Sequence, residues 1–176
     1  MAERESEVLL IHEADDIENM YLTFDVQGEE YAVNIGYVTE IVGLQRISEV
    51  PDVPEYIKGV INLRGKVIPV MDVRLRFGLA WREYGDRTTV IVLDLDGVPT
   101  GLVVDQVTDV LSIAPEDVAS PPRWRGDGKE SVVKGLGRRD DGVSIILDVE
   151  RLLSAQDVCL DLSLEAVTAE SGTAIS

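Results

Sequence analysis

The sequence predicts an all-β protein, built as two similar five-stranded barrels with a few short helices. Three observations carry this reading. Between residues 20 and 154 the chain breaks into short runs rich in Val, Ile and other strand-forming residues. Turn chemistry built on Gly, Asp and Pro separates the runs. The second half of the chain then repeats the first.

Taken in order, MYLTFDVQ (20–27) and EYAV (30–33) meet at Gln27-Gly28-Glu29, a hairpin signal. EIVGLQRI (40–47) follows. GVINLR (59–64) and KVIPVMD (66–72) meet at Arg64-Gly65-Lys66. TTVIVLDLD (88–96) has a β-branched density that outweighs any helical reading, and Asp96-Gly97 turns it toward TGLVVD (100–105). VTDVLSI (107–113), VVKGLG (132–137) and GVSIILD (142–148) complete the set, the last two separated by a turn at Asp141-Gly142. Two short helical segments are predicted. Pro54 through Gly59 suits one turn, with Pro at its start and Gly just past its end. Leu147 through Leu153 suits a helix capped by Asp148 with Leu152 and Leu153 buried. Many short strands with tight turns point to barrels, since closing a sheet removes its exposed edges.

The repeat is the most informative feature. The stretch 21–42 aligns without a gap on 90–111: Phe24 falls on Leu93, Asp25 on Asp94 and Gly28 on Gly97. Val38-Thr39-Glu40 falls on Val107-Thr108-Asp109. Further on, 65–73 echoes 141–149, with Asp72 on Asp148, and Asn62-Leu63-Arg64-Gly65 finds a loose counterpart around Gly135-Leu136-Gly137-Arg138. Chance alternation explains matched apolar positions but not the matched Gly, Asp and Val-Thr-acid positions. A spacing of about 70 residues exceeds solenoid periods and indicates a duplicated subdomain.

Composition narrows function by exclusion. The chain has 176 residues, with 33 acidic against 16 basic side chains and a formal charge of −17. Such a charge repels phosphate backbones and anionic lipid, so nucleic acid and membrane surfaces are not expected partners. It keeps the surface solvated, or steers the chain toward a basic protein. No apolar run approaches the ~20 residues of a membrane span, and the short VLLI run of the acidic N-terminus does not suit a secretory signal, so a cytoplasmic protein is expected. The single cysteine, Cys159, excludes an internal disulfide and a multi-cysteine zinc site. The single histidine, His12, lies in the leader, away from the patterned region. Acid pairs such as Asp94/Asp96 and Asp140/Asp141 sit where turns favour Asp, so no catalytic residue, metal site or cofactor is predicted. A barrel binding a small molecule remains an alternative, but needs convergent polar groups that the sequence does not display. Residues 1–19 are expected to form a flexible acidic leader, 20–154 the folded domain, and 155–176 a helix or tail.

The block Ile57-Lys58-Gly59-Val60-Ile61-Asn62-Leu63-Arg64-Gly65 and the following Ile68-Pro69-Val70-Met71-Asp72-Val73-Arg74 are distinctive. With Val38-Thr39-Glu40-Ile41, Gly101 through Asp105 and Val107 through Leu111, they resemble the CheW family of chemotaxis coupling proteins, from about Tyr21 to Leu153. The resemblance implies two intertwined SH3-like five-stranded β-barrels without catalytic activity. It implies partners too: the regulatory domain of the histidine kinase CheA and the cytoplasmic tip of a methyl-accepting chemoreceptor, joined in membrane-associated arrays. The output, swimming or another kinase-controlled behaviour such as surface motility, is left open. A chain of 176 residues is expected to leave no room for the kinase's ATP-binding domain or the receiver domain of CheV proteins.

By the same resemblance, Val38, Glu40, Arg64, Gly101, Val103 and Val104 lie on or near the receptor-facing surface, with Glu40 the ion-pair partner of Arg64. Kinase contact is placed around Leu44, Ile47, Val50 and Ile57, against the simpler reading that Val50 and Ile57 are core. Trp81 and Trp124 are expected to be partly buried with solvated edges.

Overall fold

The computed structural model describes residues 15–121, 132–139 and 142–153. The expected C-terminal tail, Trp124 and the pair Asp140-Asp141 lie outside them. A 3-10 turn at Asp15–Asn19 leads into β1 (Met20–Val26) and β2 (Glu29–Asn34); a second, Ile35–Tyr37, leads to β3 (Val38–Gly43). Then come β4 (Ile57–Leu63), β5 (Lys66–Asp72) and a single helical turn α1 (Val73–Arg76). The second copy supplies β6 (Thr89–Leu95), β7 (Val98–Val104) and β8 (Gln106–Ser112). It ends with β9 (Val118–Ala119), β10 (Val133–Arg139), β11 (Gly142–Leu147) and α2 (Val149–Leu153).

All ten predicted strands form, and one more, the two-residue β9, was too short to carry a periodic signal. The hairpin turns Gln27-Gly28, Arg64-Gly65 and Asp96-Gly97 each hold two residues at positive φ. That is the backbone whose twist matches the flanking strands, and glycine takes its second position without steric cost. Asp72 and Asp148, matched in the repeat, do the same work: each carboxylate accepts backbone N–H bonds at the start of the helical turn that follows it. Leu152 and Leu153 are buried as predicted.

The two sheets are exchanged between the copies. One has the order β8-β1-β2-β11-β10-β9, the other β3-β6-β7-β5-β4. Each combines the first two strands of one copy (β1–β2 or β6–β7) with the later strands of the other, and equivalent strands occupy equivalent places. The parallel pairs β2–β11 and β5–β7 are also equivalent. Pairing across copies buries a common core between the sheets, including Phe24, Val33, Met71, Leu93, Leu102 and Leu152. A second cluster (Ile61, Val70, Val90, Val92 and Val103) fills the β3–β7 barrel, and a third (Tyr21, Ala32, Ile113, Ile146) fills the other.

Two expectations are corrected. Pro54 to Gly59 is not a helix: Ile57 N–H donates to Pro54 O at 2.9 Å in a tight turn, and β4 begins at Ile57. Gly59 serves a different need. It lies at φ +142° within β4, where an added Cβ would sit 2.1 Å from the Ser48 carbonyl oxygen. Ser48 pairs there with Val60 through two backbone hydrogen bonds of 2.8 and 2.9 Å, covering the outer edge of β4.

The loose counterpart of the Arg64 turn is also reassigned. The β4–β5 hairpin closes at Leu63–Lys66 and the β10–β11 hairpin at Arg139–Gly142, so Arg64-Gly65 correspond in register to positions 140–141. Gly135 instead matches Gly59: a Cβ on it would meet Val118 of β9, the strand that covers β10. Gly142 opens β11 as a strand residue.

Candidate functional site

The Arg64 turn projects from the β4–β5 hairpin, its backbone fixed by φ values of +52° and +88° and by Gly65 N–H donating to Asn62 Oδ1 at 2.9 Å. The Arg64 side chain is 70% exposed and donates to the Glu40 carboxylate on β3. β3 and β4 are the two edge strands of the five-stranded sheet, so this pair spans the gap across which the sheet curls. In water-exposed surroundings it adds at most about 1 kcal/mol to stability. An exposed guanidinium with donors to spare is therefore better explained by what it presents than by what it stabilises.

A β-bulge sets which β3 residues reach this place. Val38 pairs with Leu93 and Glu40 with Val92, leaving Thr39 as the extra residue. Its hydroxyl donates to the Val92 carbonyl at 3.1 Å. The same irregularity recurs in β8, where Phe24 pairs with Val107 and Thr23 with Asp109, and Thr108 is skipped. There the hydroxyl of Thr108 bonds that of Thr23 at 2.7 Å. The matched Val-Thr-acid triplets of the sequence are thus a duplicated bulge.

Among the expected receptor-facing residues, Arg64 and Glu40 come together at this end of the barrel, whereas Val38 is half-buried against the common core. The expectation that Gly101, Val103 and Val104 lie on or near that surface is narrowed: all three are buried in β7, so none lies on it. A Cβ on Gly101 would lie 2.8 Å from Val90 and 2.9 Å from Val70. These residues shape the barrel under a surface and offer no side chain to a partner. Two apolar residues that the sequence did not single out, Ile41 beside Glu40 and Val67 just after the turn, are exposed.

Of the expected kinase-facing residues, Leu44 and Val50 are exposed, whereas Ile47 is half-buried against the barrel core. Ile57 is corrected from surface to core, with 6% exposure; the simpler reading holds for it and fails for Val50. Trp81 is 51% exposed, with the Tyr84 ring against its edge at 5.8 Å and Lys58 Nζ 5.7 Å from its centre.

A cleft of about 500 Å³ runs beside α1, lined by Asp72, Arg74, Tyr84, Asp105 and Gln106 among others. Four of its polar groups are engaged in pairs. Arg74 Nε and one Nη donate to the two Asp105 oxygens at 3.0 and 2.6 Å, and its other Nη donates to Gln27 Oε1 at 3.1 Å. Tyr84 Oη donates to Asp72 at 2.6 Å, and burial with this bond raises the phenol's pKa. Burial would also raise the Asp105 carboxyl, but the bonds from Arg74 and the Gln27 N–H hold it below the ordinary carboxylate value. The Arg74–Asp105–Gln27 bonds fasten the seam where β7 passes into β8. Among the described residues no His, Cys, Asp and Glu cluster could hold a metal ion.

Comparisons with known proteins agree with this architecture. The family model described as a CheW-like domain matches residues 20–157. The chain is 36% identical over 140 residues to "Chemotaxis protein CheW" of Klebsiella aerogenes, covering 80% of this chain and 84% of that protein. It is 32% identical over 149 residues to the protein of the same name from Treponema pallidum, covering 82% and 87%. Among solved structures, the scaffolding protein TtCheW from Thermoanaerobacter tengcongensis superposes with a TM-score of 0.71 at 32% identity, covering 80% of this chain and 95% of that one. With the family match spanning nearly all the described strands and the exchanged barrels behind it, the chain belongs to the CheW-like family.

Proposed function

We propose that this chain is a chemotaxis coupling adaptor, without catalytic activity of its own, that holds a chemoreceptor's cytoplasmic tip against the regulatory domain of a CheA-type histidine kinase. The observation that carries this reading is the exposed Arg64–Glu40 pair at the barrel mouth, flanked by exposed Ile41 and Val67. A receptor tip is a helical hairpin, and such a partner is held by apolar contact with a few oriented polar groups. On this reading Arg64 and Glu40 contact the tip, Val38 anchors the start of β3 on the common core, and buried Gly101, Val103 and Val104 keep the barrel in shape. Leu44 and Val50 form the kinase contact, with Ile47 behind them. No helix among the described residues is long and apolar enough to cross a membrane, so on this reading partners bring the chain to a receptor array.

Co-purification of the chain with a cognate receptor tip and a kinase regulatory domain tests the proposal: a ternary assembly is expected, and failure to bind either partner would overturn it. Within that assembly, Arg64→Ala is expected to weaken receptor binding about tenfold while leaving kinase binding and melting temperature unchanged. Equal loss of both partners, together with a lowered melting temperature, would make Arg64 a structural residue instead.

A further inference from the structure

We propose that Thr39 is a positioning residue for the receptor-facing pair: its bulge decides that Glu40, and no other residue of β3, meets Arg64. The inference rests on the coupling function proposed above and adds a determinant to its surface. In an unbulged strand, successive side chains alternate faces, and one extra residue reverses every face beyond it. Val38 pairs with Leu93 and packs on the common core. Regular alternation from Val38 would send Glu40 to that same face. With Thr39 inserted, Glu40 pairs with Val92 and Val42 with Val90, whose side chains belong to the barrel's own interior cluster. Glu40 therefore stands at the rim of that interior, where the Arg64 turn arrives from the opposite edge of the sheet. The same shift puts Ile41 on the outer side, where it is exposed.

The Thr39 hydroxyl holds the bulge by occupying the Val92 carbonyl, a bond that a β-branched apolar residue of the same shape cannot make. The second copy provides a control within the molecule. Thr108 makes the equivalent bulge, but the acid that follows it, Asp109, makes no ion pair among the described residues; its carboxylate accepts from the N–H of Val110. Thr39 and Thr108 share a structural duty, and only Thr39 lies next to the Glu40–Arg64 pair.

Four variants of the full chain decide it: Thr39→Val, Thr39→Ser, Thr108→Val, and Thr39→Val combined with Arg64→Ala. Binding to a receptor tip and to a kinase regulatory domain is measured by calorimetry. Thr39→Val is expected to weaken tip binding about fivefold, the scale of one hydrogen bond, with kinase binding unchanged. Thr39→Ser restores it, Thr108→Val leaves it intact, and Thr39→Val has no added effect once Arg64 is gone. A second readout needs no partner. Side-chain NMR contacts between Arg64 and Glu40 should persist in Thr39→Ser and Thr108→Val and disappear in Thr39→Val. Equal weakening by Thr39→Val and Thr108→Val, an undiminished effect in the Arg64→Ala background, or surviving Arg64–Glu40 contacts in Thr39→Val would each overturn the inference. If the wild-type chain binds no receptor tip, the coupling function fails, and the NMR contacts still decide whether Thr39 positions the pair.

Discussion

Replacing Arg74 by alanine is expected to cost about 3 kcal/mol of folding stability at neutral pH, because it leaves Asp105 charged without its cationic partner at the seam of the molecule. The Arg74 side chain is 8% exposed and supplies three donors, two to Asp105 and one to Gln27. Asp105 also receives the Gln27 N–H at 2.8 Å, and its own N–H donates to Asp25 O at 3.1 Å. It therefore ties the β1–β2 hairpin of one sheet to the β7–β8 crossing from the other, and α1 locks the tie through Arg74. Arg74→Lys keeps a charge but no planar fork, and should lose stability to an intermediate extent.

The loss should depend on pH with a defined sign. The folded Asp105 carboxyl titrates below its ordinary value, since the hydrogen bonds and charge of Arg74 and the Gln27 N–H outweigh burial. A group so depressed adds stability above its unfolded pKa, and that stability is lost as pH falls through the folded one. The gap between wild type and Arg74→Ala should be full at neutral pH and shrink below about pH 4. Asp25 works in the opposite direction: burial, then Glu30 and Asp105, raise its carboxyl, so its protonation in acid relieves repulsion. Urea unfolding of both proteins across the acid range isolates the Arg74–Asp105 contribution as a difference. A gap that stays constant with pH would show that Arg74 acts through packing alone.

Gly59→Ala is the second large effect, expected to destabilise by about 3 kcal/mol through backbone strain and overpacking together. The new Cβ would fall 2.1 Å from Ser48 O and 2.8 Å from its carbon. Backbone cannot yield as a side-chain tip can, so the Ser48–Val60 bridge must open and β4 lose its cover. Gly28→Ala separates the two causes. Gly28 also has a positive φ, +83°, but nothing lies within 4 Å of its Cβ direction. It should therefore show the strain alone, about 1 kcal/mol. Chemical denaturation of the two variants reads the difference, and equal losses would mean that the Ser48 approach is not what requires glycine.

These two predictions fall where the sequence was read least well. Gly59 looked like the end of a helical turn, because Pro-Glu-Tyr-Ile-Lys-Gly carries the local signals of one. What overrode them was a strand-edge contact with Ser48, eleven residues earlier, which leaves no local trace. Arg74 and Asp105 appeared only as members of matched motifs, and nothing in their spacing says that they meet. Arg64 and Glu40 were legible as a pair because both stand in distinctive motifs. Gly101, Val103 and Val104 stand in an equally distinctive one, and they are buried. A motif marks a position without telling whether its side chain faces a partner or the core.

The sequence by itself determined the strands, the glycine-bearing hairpin turns, the Asp148 cap and the duplication. Each is written in a few neighbouring residues: the alternation of a strand, the positive φ that Gly accommodates, the carboxylate that takes an exposed N–H. It also matched Val38-Thr39-Glu40 to Val107-Thr108-Asp109 before any reason for the match was visible. The tertiary structure alone decided which copy each strand joins. Both copies present the same apolar alternation, so a strand pairs equally well with its own copy or with the other, and local pattern cannot choose. The choice is made by burial at the seam, where exchange joins both sheets in one core, and by contacts such as Arg74–Asp105 that only the exchanged arrangement brings within reach.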